Sequence, residues 1–245
     1  MGKDKLQNFI EGLDTINKDN TITIKVPSQK KKLTFKLINV TQHKNLLKSA
    51  FQGYEGVIKA SMIFNNILTD NHCDDDLDFS ILDRTVILTE LRKRSIGSNI
   101  KIEGTTYDID SLSPITDKFT DNNITENGVS VIVDVPTISR DSAIAKKLLA
   151  EFSKLDDKDK DADGIDLVLT YEIIKFIKSV SVGDEVYEFT SSNAYDCKKI
   201  IESLPLKLNN KIVDYISEYR EYENKHLTFE DGTLLEIDAG FLSSE

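Results

Sequence analysis

Residues 79–110 read FSILDRTVILTELRKRSIGSNIKIEGTTYDID. Phe79, Leu82, Val86, Ile87 and Leu91 recur at helical spacing and predict a helix. That helix ends in Arg92-Lys93-Arg94, with Gly97 just beyond. Cations suit the negative end of a helix dipole, and glycine commonly follows a helix end because it tolerates left-handed backbone. The period then changes. Residues 99–103 and 106–109 alternate polar with apolar around Gly104, which predicts a short hairpin. Helix and hairpin thus follow one another within a single stretch, and the same succession recurs elsewhere. The expected class is α+β, helices packed with several short β-hairpins.

Working toward the N-terminus, Leu6, Phe9, Ile10, Leu13 and Ile16 form one apolar stripe, hence an amphipathic helix. Such a helix must lie against something. Its own domain is the expected support and a partner subunit the alternative, with Leu6, Phe9, Ile10 and Leu13 as the contact residues. Thr21–Val26 alternates and predicts a strand; residues 27–32 form a turn; residues 33–37 alternate again, and residues 38–40 close the run. Lys30, Lys31 and Lys32 are expected at the solvated tip of this hairpin, where they can meet acidic neighbours on a partner. Thr41 is a candidate N-cap for a helix over residues 43–51. Gly53 and Gly56 are expected to interrupt the chain before a second helical stripe from Val57 to Leu68.

Toward the C-terminus, residues 113–128 are polar and turn-rich and suggest a boundary. They divide the chain into an N-terminal hairpin-plus-helices segment (1–112) and a C-terminal segment (129–245), as one domain or two. Residues 129–135 predict a strand stopped by Pro136. Ser139 or Asp141 is expected to cap a helix carrying Ile144, Leu148, Leu149, Phe152 and Leu155. A helix through Leu167, Tyr171 and Ile174, a hairpin with Gly183-Asp184 at its tip, and helices near 193–203 and 206–222 follow. Residues 227–229 and 234–237 flank Asp231-Gly232 as a last alternating pair. Residues 103–110 and 230–238 echo one another, too briefly for a repeat architecture.

The chain has 245 residues, 31 Lys+Arg and 42 Asp+Glu, for a formal charge of -11. That charge opposes general binding to phosphate backbones, so nucleic acid is not an expected partner. No apolar run approaches the ~18 residues a membrane span needs, so a membrane is not expected either. The start resembles neither a signal peptide nor a transit peptide. Two cysteines, Cys73 and Cys197, make no disulfide framework and suggest a reducing compartment.

Catalytic motifs are missing. The sequence holds no G-x-S-x-G elbow, P-loop or dinucleotide fingerprint, so no enzyme activity and no cofactor is expected. Asp159, Asp161 and Asp163, followed by Gly164, match the opening of a calcium loop. The match fails further on. Position 12, which should be a bidentate Glu, is Thr170, and position 8, which should be apolar, is Asp166. A calcium-binding helix-loop-helix module is therefore the alternative reading. The run from His72 to Asp76 has too few convergent partners for a zinc site.

The order of elements, together with "LRKRSIG" (91–97), Val135-Pro136, "GDEVY" (183–187) and "IIESLP" (200–205), resembles the T4-type contractile-phage baseplate family. That family includes the baseplate hub subunit and hub-assembly proteins, and the resemblance spans roughly residues 20–243. It implies a structural or chaperone-like assembly role through contacts with other tail or baseplate hub proteins. It also implies the host cytoplasm during assembly and the virion tail baseplate as locations. The resemblance further implies that some members carry C-P-x-C knuckles in the two small hairpins, as a shared zinc site. Here those tips are residues 103–106 and 230–233, without a thiolate. No zinc is expected, and ordinary packing and hydrogen bonds have to hold the hairpins.

Overall fold

The computed structural model describes residues 2–74, 77–155 and 162–242. Helix α1 (Gly2–Asp19) runs directly into an antiparallel hairpin, β1 (Thr21–Val26) and β2 (Lys31–Lys36). Three helices follow: α2 (Val40–Ala50), α3 (Gly53–Asn71) and α4 (Ile81–Ser95). A second hairpin is made by β3 (Asn99–Ile102) and β4 (Thr105–Asp108). Next come β5 (Asn122–Glu126), β6 (Val129–Val133), α5 (Ile138–Phe152), α6 (Ala162–Phe176), β7 (Ile177–Val182), β8 (Glu185–Glu188), α7 (Ala194–Ser203) and α8 (Leu206–Leu227). The fold is α+β. Its largest sheet is antiparallel in the order β5-β6-β7-β8, with α5 and α6 inserted between the two hairpins that compose it.

Several boundaries differ from the sequence reading, each for a local physical reason. Helix α2 starts one turn early because Asn39, not Thr41, caps it. The Asn39 side chain accepts from the Gln42 backbone, and the Gln42 side chain accepts from the Asn39 backbone. Gly53 and Gly56 lie inside α3 rather than before it. A Cβ on Gly56 would stand 2.0 Å from the Ser49 carbonyl oxygen, so glycine here permits α2 and α3 to meet at their corner. Thr137 caps α5, freeing Asp141 for another task. Helix α8 runs to Leu227, and the last alternating pair shrinks to a bridge between Thr228 and Leu234. Residues 113–128 contain β5 and the buried Ile115 and Ile124.

Two clusters of apolar side chains form the interior. One gathers β1, β2, α2, the later turns of α3 and α4, and the C-terminal residues Leu227, Phe229, Leu235, Phe241 and Leu242. The other gathers the four-stranded sheet with α5–α8. Helices α3, α4 and α5 contribute to both. Phe35 and Tyr171 are among the largest fully buried side chains. Burying an aromatic or Leu side chain stabilises by about 1.5–3 kcal/mol, so the two clusters supply the main driving force.

Asp141 stands where these helices converge and is 3% exposed. Its Oδ2 lies 2.9 Å from Arg84 Nη1 on α4 and accepts from Asn65 (2.9 Å) and Ser61 (3.0 Å) on α3. Its Oδ1 lies 3.2 Å from Lys175 Nζ on α6. Lys175 also reaches Glu172 at 2.6 Å, and Glu172 pairs with Arg220 of α8 at 3.0 Å. One carboxylate therefore ties α3, α4, α5 and α6 together, and a second extends the network to α8. Burial opposes the Asp141 charge, but Lys175 and Arg84, with Asn65 and Ser61, hold its carboxyl well below the usual carboxylate range.

Removing that charge takes the ion-pair partner from the half-buried Arg84 and leaves the half-buried Lys175 with Glu172 alone. Asp141→Asn is expected to cost about 3–5 kcal/mol in urea unfolding near neutral pH. A lowered native pKa adds stability that is fully present above the unfolded value of ~3.9 and is lost as pH falls through the native value. The gap between wild type and Asp141→Asn should therefore narrow between pH 6 and pH 3. A gap that stays constant over that range contradicts the assignment.

Candidate docking surface

Helix α1 meets the body of the protein along β2. Its apolar stripe does not face that body: Leu6 is 61% exposed, Phe9 65%, Ile10 43% and Leu13 44%. The expectation that the helix shelters these residues against its own domain is corrected. The cause is local. Asn20 alone separates α1 from β1, and β1 and β2 already bury Ile24, Val26, Leu33 and Phe35 against α3 and α4. The hairpin's inner face is therefore taken and does not cover the stripe of α1.

The hairpin carries Lys30, Lys31 and Lys32 at its tip, all exposed. Ser28 fixes the tip by donating from its backbone to Asp83 Oδ1 at 3.0 Å, while Asp83 also caps α4 through Ser80. The lysines are thus solvent-facing on a turn held at its root. The sequence reading missed that Lys25 and Lys36 share the face of Lys32. The signal was available, because cross-strand partners in a hairpin point the same way.

Asp163 lies exposed in the first turn of α6, and Asp159 and Asp161 fall outside the described residues. Gly164 has a packing role of its own: a Cβ there would lie 2.7 Å from the Phe152 ring, so it lets α6 lie close to α5. Residues 163–170, which would complete a twelve-residue calcium loop, are helical. Among the described residues no group of three or more His, Cys, Asp or Glu is placed to hold a metal.

The two small hairpin tips that echo one another in sequence meet in space. Tyr107 of β4 stacks on Phe229 with ring centroids 4.5 Å apart. The Tyr107 hydroxyl donates to Asp231 at 2.9 Å and lies 2.9 Å from Thr233 Oγ1. Arg92, buried at the end of α4, completes the latch. It donates to the carbonyl oxygens of Phe241 (2.7 Å), Gly97 and Asn99 (3.0 Å), gathering the C-terminal segment and the start of β3. An aromatic stack and hydrogen bonds join the two tips without thiolates.

Charged side chains in two of the clefts are engaged by neighbouring residues. The cleft of about 720 Å³ between α3 and residues 234–240 has Arg84 and Glu223 on its wall, engaged by Asp141 and Thr85 respectively. A cavity of about 260 Å³ beside β1 and α4 contains Lys93, which pairs with Glu90 and Asp110. Burial pushes the Cys197 thiol up to about 11, which keeps it protonated and unreactive. No described helix is long and apolar enough to cross a membrane.

A family model described as T4 bacteriophage base plate protein matches residues 19–225. No curated protein and no solved structure matches the chain.

The latch gives three expected outcomes. Tyr107→Phe should cost about 1 kcal/mol, the worth of a hydrogen bond. Phe229→Ala should cost about 3–5 kcal/mol by opening a cavity under the C-terminal segment. Urea unfolding measures both. EDTA should leave the Tm unchanged, since the contacts that hold the tips are a ring stack and hydrogen bonds.

Proposed function

The chain belongs to the T4 bacteriophage base plate protein family, and we propose that within the baseplate it serves the hub, as a subunit or a chaperone-like assembly factor. It is a structural protein of the phage baseplate whose partners are other baseplate proteins. In this reading it works through protein–protein contacts rather than catalysis, first in the host cytoplasm and then, as a subunit, in the tail. The observation that carries the reading is α1. Four large apolar residues on one helical face are exposed, which is the pattern of a helix awaiting a groove. The rest of the molecule is a closed body tied by Asp141 and the Tyr107 latch, suited to presenting that helix. The calcium-module reading gains no support, because the later positions of its loop form helix α6.

Phe9→Asp/Leu13→Asp tests this directly. Both residues are exposed, so the change should leave Tm within about 1 °C, in line with the small effect of surface substitutions. Tagged wild-type protein recovered from infected cells should carry baseplate hub proteins identified by mass spectrometry, and the double variant should lose them. Recovery of no tail protein by wild type overturns the reading. Retention of the protein in purified virions assigns it as a subunit, and its absence assigns it as an assembly factor.

A further inference from the structure

The lysines of the β1–β2 hairpin form a surface larger than its tip. Residues 1–48 carry ten Lys and no Arg against four Asp or Glu, a formal charge of +6 on a chain whose total is -11. In the hairpin register Thr21 faces Lys36, Thr23 faces Thr34 and Lys25 faces Lys32. The alternate residues Ile22, Ile24, Val26, Leu33 and Phe35 turn inward, so these three pairs line the outer face. Lys25 opposite Lys32 is a like-charge cross-strand pair, which destabilises a hairpin unless something compensates it. Among the described residues none of Lys25, Lys30, Lys31, Lys32 and Lys36 forms an ion pair. Some lysines elsewhere are matched, as Lys207 and Lys211 are with Glu126. Lys30 adds a further cost, holding φ at +52° where glycine or asparagine would fit more easily.

We propose that the lysines of the hairpin (Lys25, Lys32 and Lys36 on its outer face, Lys30 and Lys31 exposed at its tip) and the apolar stripe of α1 form one composite docking surface, and that its occupant is a different protein with an apolar groove flanked by Asp and Glu. The inference rests on the docking role proposed for α1 and names the chemistry of its partner. Continuity supports it, because α1 meets β2, the strand that bears Lys31, Lys32 and Lys36. Charge complementarity selects the partner. A symmetric pair of copies would set the lysine faces against one another. An anionic membrane suits a helix with a basic polar face, whereas α1 has three Lys against four acidic residues. A nucleic acid would extend past the hairpin to a body whose remaining charge is -17, and the outer face has no aromatic residue for base stacking. An acidic protein surface of limited size meets the lysines alone, and the charges would steer its approach.

The test uses full-length protein and two labelled designed helical bundles, each presenting a Leu-lined groove that can receive α1. The groove is flanked by Glu in one and by Gln in the other. Fluorescence anisotropy in 50 mM salt should show the Glu groove binding at least tenfold tighter, with the advantage falling as salt rises. Lys25→Glu/Lys31→Glu/Lys32→Glu should erase the advantage while leaving the Gln groove bound, with circular dichroism confirming an unchanged fold. Phe9→Asp/Leu13→Asp should remove binding of both. Equal binding of the two bundles, or no binding of either, overturns the inference. So does salt-sensitive self-association in analytical ultracentrifugation, or tighter binding to phosphatidylserine vesicles or duplex DNA. Recovery of hub proteins from infected cells by the lysine variant as fully as by wild type sinks the electrostatic inference and leaves the role of α1 standing.

Discussion

The carboxylate of Asp141 is the contact on which the arrangement of the helices depends. An unpaired charge at that depth would be strongly unfavourable, so Arg84, Lys175, Asn65 and Ser61 must all arrive for the fold to close. Apolar packing drives α3, α4, α5 and α6 together but does not by itself choose how they register. The network supplies that choice, because the partners come from three helices: Ser61 and Asn65 from α3, Arg84 from α4 and Lys175 from α6. It also lies where residues from the two apolar clusters share helices, so it fixes one cluster against the other. The result is a body whose surfaces hold fixed positions.

That fixity gives the N-terminal module its meaning. The β1–β2 hairpin is anchored through its inner residues and through the hydrogen bond from Ser28 to Asp83. Helix α1 continues from it with its apolar face outward, and the lysine face stands beside it. The Tyr107–Phe229 stack and Arg92 hold the hairpin tips and the C-terminal segment together.

The class was legible because helical and strand periods alternate clearly around residues 79–110. The hairpin tips at Gly104 and Gly183 were legible because left-handed turns ask for glycine there. The strand β5 was not, since Asn122, Asn123 and Thr125 face water and leave Ile124 as its one buried apolar residue. The role of Asp141 was hidden because a carboxylate in a first helical turn looks like an ordinary dipole partner, and Arg84 and Lys175 are far from it in sequence. The α1 stripe was legible as amphipathic, but periodicity says only that a face is apolar. Whether the chain itself covers that face depends on the remaining surfaces, which Ile24, Val26, Leu33 and Phe35 had already claimed.

The account holds that the body is complete without α1 and that α1 is kept open for a partner. Hydrogen–deuterium exchange by mass spectrometry on the isolated protein tests this most directly. A single helix without tertiary burial is marginal in water, so the amides of α1 should exchange orders of magnitude faster than those of α3, α5 and α6 around Asp141. Protection in α1 equal to that of α5 would show that the helix is stabilised within the chain, and would contradict the account.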